Sequence, residues 1–93
     1  MNADGFRLYL QEQHSSRAGH SFSPKVASDC VSRCRRVETV TGEDLDDLVK
    51  RNTPEAVADV IDGCRDPTVG PRVLSDLKAA ARRYHEYRHQ SAN

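Results

Sequence analysis

The sequence predicts an all-α fold, a compact bundle of four to five short helices. Three observations carry that reading. Apolar residues recur at i, i+3, i+4 and i+7 spacing along most of the chain. The alternation that marks a half-buried strand is missing. Two cap-then-proline pairs, Ser23-Pro24 and Thr53-Pro54, mark helix starts, because a hydroxyl satisfies an orphan N–H and proline at the first helical position has none to lose.

The 93 residues, 37% hydrophobic and 30% charged, make one domain with a small core. Its elements follow in order. Residues 4–14 are expected as a first helix, with Phe6, Tyr9, Leu10 and Gln13 on one face and Asp4 as its N-cap. Residues 15–22 read as a loop broken by serines and Gly19, with Phe22 placed as a hydrophobic staple. The second helix starts at Ser23-Pro24. Val26, Cys30, Cys34 and Val37 form its core face, with Ala27 and Val31 beside them. Lys25, Ser28, Ser32, Arg35 and Arg36 lie opposite, and Arg33 sits at the border.

Thr41 is expected to cap a short third helix through Leu45, Leu48 and Val49, with Asp44 in the box position. After Thr53-Pro54, Val57, Val60, Ile61 and Cys64 give a fourth stripe. A loop over residues 65–71 leads to a last helix ending near Arg88. It buries Val73, Leu74, Leu77, Ala80, Ala81 and Tyr84, with Lys78, Arg82, His85 and His89 along one flank. The folded core is expected to span about residues 4–88, and residues 89–93 to fray.

Formal net charge is +0, which excludes bulk attraction to a polyanion, yet the charge is segregated. Residues 1–37 hold six Lys/Arg against three Asp/Glu, residues 38–62 two against eight, and residues 63–93 six against three. Steering of a charged partner follows the local field rather than the total. No apolar run approaches the roughly 18 residues of a membrane span, and the first residues lack a signal-peptide pattern. A cytoplasmic protein is the expectation, and the odd count of three cysteines agrees with it.

Catalytic and metal chemistry find little footing. Cys30 and Cys34 lack two further ligands at zinc spacing and read as small core hydrophobes. His85 and His89 read as surface histidines suited to the end of their own helix. Glu43-Asp44-Leu45-Asp46-Asp47 lacks the alternate ligands and central glycine of a calcium loop and reads as acids complementing a helix dipole. No catalytic residue, no metal site and no cofactor is assigned. The basic faces of the second and last helices remain. Lys and Arg neutralise phosphates, serines donate to phosphate oxygens, and a helix fits the major groove.

The chain resembles the N-terminal core-binding, SAM-like domain of tyrosine recombinases, the phage-integrase family. The carrying residues are Phe6 with Tyr9-Leu10, the stretch Gly19 and Ser21-Phe22-Ser23-Pro24-Lys25-Val26, the helix from Cys30 to Val37, and Ser75 through Tyr84. The resemblance spans roughly residues 5–88. It implies a helical bundle that packs on one side of duplex DNA during recombination, without the catalytic domain. His85-Glu86-Tyr87-Arg88 matches the family's catalytic His-x-x-Arg in letters only and is rejected as a site.

The expected function is therefore non-catalytic binding of duplex DNA through Lys25, Arg33, Arg35 and Arg36 on the second helix and Lys78, Arg82 and Arg83 on the last. The alternative is a protein-interaction module, an adaptor or inhibitor of a nucleic-acid enzyme, that uses Glu43 to Asp47 with Asp59 and Asp62 against a basic partner. Homodimerisation through a leftover apolar face is a third reading.

Overall fold

Among the described residues, two long helices are packed with three short ones. The structure, a computed structural model, describes residues 1–14, 23–64 and 67–90. The elements are α1 (Ala3–Tyr9), continued by a π-helical turn (Leu10–His14), then α2 (Pro24–Thr41), α3 (Leu45–Arg51), α4 (Pro54–Cys64) and α5 (Pro71–Gln90). Among the described residues there is no strand, so the all-α expectation holds. A Cα radius of gyration of 12.7 Å is that of a compact chain of this length.

Helix α2 starts where the sequence places it. Ser23 is extended at ψ 158° ahead of Pro24, and its Oγ accepts from Val26 N–H at 3.2 Å. It ends at Gly42, whose φ of 71° suits a residue without Cβ and whose N–H returns to Glu38 O at 2.8 Å. Thr53 likewise caps α4, its Oγ1 accepting from Ala56 N–H at 3.2 Å.

Helices α2 and α5 pack along each other, α4 lies against both, α3 covers α5 near its end, and α1 closes over α2 and α5. The fully buried side chains include Phe6, Leu10, Val37, Leu45, Leu48, Ile61, Leu77 and Tyr84, so every helix contributes to one core. Helix α1 is held at α5 by rings. Phe6 meets Tyr84 edge-on at 4.9 Å between centroids, and Tyr87 lies 5.6 Å from Phe6 and 5.2 Å from Tyr9.

Several expectations change. Asn2, not Asp4, caps α1: its Oδ1 accepts from Gly5 N–H at 3.1 Å, and Asp4 pairs with Arg7 at 3.2 Å. The first helix departs from α geometry after Tyr9. Asp44, not Thr41, caps α3, because α2 runs on through Thr41. Val26 is 46% exposed, and Cys64 is exposed, each near an end of its helix. Helix α5 continues to Gln90, past the expected fraying point. The Phe22 staple, the side chain of Gln13 and residues 91–93 lie outside the described residues.

Candidate nucleic-acid interface

Each of the seven basic residues singled out by sequence lies on α2 or α5, but the fold does not bring them all together. Arg33 and Arg83 come from different helices and line one groove between α2 and α5, with Val26, Cys30, Asp76, Ala79 and Ala80. A second groove, of about 300 Å³, runs between α4 and α5 and is lined by Lys78 and Arg82 with Pro54, Glu55, Ala58 and Ala79. Both grooves share Ala79, which is exposed. Its place in both linings makes the two grooves adjoin.

Arg33 and Arg82 on this face are exposed, while Lys78 and Arg83 are half-buried. Lys78 Nζ is tied to both Asp62 oxygens, at 3.2 and 3.3 Å. Glu55 and Asp76 add two carboxylates at the groove walls, leaving an excess of cations. Lys25, Arg35 and Arg36 sit elsewhere. A helix turns about 100° per residue, which puts Arg35 roughly 160° around α2 from Arg33. Lys25 and Arg35 project to solvent, and Arg36 borders a different groove with Thr39, Val40, Cys64, Thr68 and Val69. Arg33, Lys78, Arg82 and Arg83 therefore form the interface that the geometry assembles.

The floor of the α2–α5 groove carries a thiol. Cys30 is 5% exposed, and Cys34, one turn on, is fully buried with its Sγ donating to Ala80 O at 3.4 Å. A hydrogen bond from Cys34, helped by Arg83 and Arg33, holds the Cys30 thiol below its ordinary value against the opposing effect of burial. The Cys34 thiol moves the other way: its hydrogen bond to Cys30 and burial push it far up. Cys34 has one proton to give. The structure shows it donated to Ala80 O.

The acidic segment offers a contrast. Asp44 caps α3 by accepting from Asp46 N–H at 3.2 Å, and Glu38 reaches across from α2 to accept from Leu45 N–H at 2.8 Å. The Met1 ammonium sits 3.3 Å from Asp44, 3.3 Å from Asp46 and 3.8 Å from Glu38. Asp46 also accepts from the Tyr84 hydroxyl and pairs with Arg88 Nε at 3.2 Å. Tyr84 Oη in turn accepts from Asn2 N–H at 2.9 Å. Burial and the Asp46 carboxylate raise the Tyr84 hydroxyl above its ordinary value. The Asp46 N–H and the Met1 ammonium hold Asp44 below its ordinary value. Glu43 lies 3.7 Å from Arg51, and Asp62 is taken by Lys78. Only Asp47 and Asp59 of the acidic set face solvent without such a named role in the fold.

His85 and His89 act at the other end of α3. His85 is buried, and its Nε2 lies 2.8 Å from Asn52 O, while His89 Nε2 lies 2.8 Å from Val49 O. A carbonyl only accepts, so both Nε2 atoms carry protons. The rings stack at 4.1 Å. They satisfy carbonyls at the end of α3 rather than of their own helix, a correction no local pattern could supply. Among the described residues, no three His, Cys, Asp or Glu side chains converge as a metal site, and no helix is long and apolar enough to cross a membrane.

No protein-family model, curated protein or solved structure matches this chain.

Proposed function

We propose that this chain binds duplex DNA, without catalysis, through the face shared by α2, α4 and α5. The observation that carries the reading is the junction at Ala79, where Arg33 and Arg83 on one side meet Lys78 and Arg82 on the other. Guanidinium groups offer forked donors that match phosphate oxygens. Two rigid helices set their spacing, so the ordering cost on binding falls mainly on side-chain tips. The resemblance of the helix order to the core-binding domain of tyrosine recombinases supports the same reading.

The engagement of Glu38, Asp44, Asp46 and Asp62 within the fold favours this reading over an acidic surface that mimics DNA. Fluorescence anisotropy on a labelled random duplex tests it. Contacts to about four phosphates give a log–log salt slope of about −4. Binding at low salt with such a slope supports the reading. Absence of binding at low salt, or affinity indifferent to salt, rejects it.

A further inference from the structure

We propose that Asp62 is an internal competitor for DNA phosphate, an autoinhibitory carboxylate that holds Lys78 until phosphate replaces it; this rests on the DNA reading above. Lys78 Nζ lies 3.2 Å from one Asp62 oxygen and 3.3 Å from the other. Two acceptor oxygens on one anionic group are also what a phosphate presents to an ammonium. Lys78 lines the groove between α4 and α5 beside Arg82 and Glu55. The contact therefore occupies one of the four cations that the geometry assembles.

A fastening role accounts poorly for the pair. Its side chains are 33% and 45% exposed, and ion pairs so exposed contribute little to a fold. Asp62 lies in the last turn of α4, where the helix dipole disfavours a carboxylate. An acid at this place does not help α4, and its partner is the lysine across the groove. A weak, exposed contact is what exchange requires. Lys78 can trade Asp62 for a phosphate oxygen by moving side-chain tips alone. The cost then falls on affinity, which is reduced by the fraction of molecules in which Lys78 is released. For an exposed pair that reduction is about two- to five-fold.

Fluorescence anisotropy on a labelled random duplex at low salt tests it, with the full chain and the variants Asp62→Asn, Asp59→Asn, Lys78→Met and Asp62→Asn/Lys78→Met. Asp59 is the control for charge: it lies on the same helix and is exposed. The expected result is binding about two- to five-fold tighter in Asp62→Asn, a smaller change in Asp59→Asn, and a melting curve of Asp62→Asn that overlays wild type. In the Lys78→Met background the gain from Asp62→Asn should fall to that of Asp59→Asn, because no ammonium is left to release. Unchanged or weaker binding by Asp62→Asn overturns the proposal. So does an equal gain with and without the lysine, which would make Asp62 a part of the general field. Absence of binding by every one of these chains rejects the DNA reading itself, and this inference with it.

Discussion

The acidic end of the molecule and its basic face carry comparable charge and use it in opposite ways. At the acidic end, Glu38, Asp44 and Asp46 each accept from a backbone N–H, a tyrosine hydroxyl or an ammonium group, and they join the chain's start to α2, α3 and α5. On the basic face, Arg33 and Arg82 are exposed beside the grooves that α5 makes with α2 and α4. Carboxylates in the first turn of a short helix stabilise it through caps and dipole. Cations on the outside of a long helix add little to stability. The difference teaches that charge segregation along this sequence separates a folding role from the binding role proposed for the basic face.

The largest effect that tests this contrast is the removal of Asp46. Asp46→Ala leaves the Tyr84 hydroxyl, Arg88 and the Met1 ammonium without a shared acceptor. Hydrogen bonds to a charged group are worth about 1.5–3 kcal/mol, and partial exposure of Asp46 puts the expected loss near 2 kcal/mol. Thermal unfolding followed by circular dichroism should show it as a fall of about 10 °C, with DNA affinity of the folded chain retained.

Tyr84→Phe is expected to cost about 1 kcal/mol, since it deletes one buried hydroxyl and leaves the ring packing on Phe6. It carries a pH signature. The Tyr84 hydroxyl is raised in the folded chain, so its contribution is full below the unfolded value of about 10 and is lost as pH rises beyond it. Denaturant midpoints measured on either side of pH 10 should diverge less in the phenylalanine variant than in wild type.

A smaller effect belongs to Asp44. Its folded value is lowered, so its contribution is present above about pH 4 and fades as pH falls through the folded value. Asp44→Asn keeps a good capping side chain and removes that titration. The acid limb of the variant's stability profile should be flatter, with a small loss of stability at neutral pH and none at acid pH. An acid limb identical to wild type contradicts the assigned contacts.

Much of this architecture was legible in the sequence because it rests on local chemistry. Ser23-Pro24 and Thr53-Pro54 start helices as read, and the stripes of Cys30, Cys34 and Val37 or Leu74, Leu77 and Tyr84 are buried as read. What depended on contacts distant in sequence was not legible. His85 and His89 satisfy carbonyls about 33 and 40 residues away along the chain, and Arg83 reaches Cys30 only because α5 packs on α2. The candidate interface was half legible for the same reason. Helical periodicity placed Arg33 at the border of α2, but nothing local could show that this border faces Arg83 while Arg35 faces away. Val26 looked like core by period, yet near the start of α2 it is 46% exposed and lines the groove between α2 and α5.

The most direct measurement combines stability and binding on one variant, Arg33→Gln/Arg82→Gln. Surface changes of this kind alter stability by no more than about 0.5 kcal/mol, and each lost phosphate contact flattens the salt slope by about one. The account predicts a melting curve that overlays wild type, weaker binding to random duplex at low salt, and a slope reduced by about two. A variant that binds with unchanged affinity and slope would contradict the assignment of the α2–α5 face to DNA.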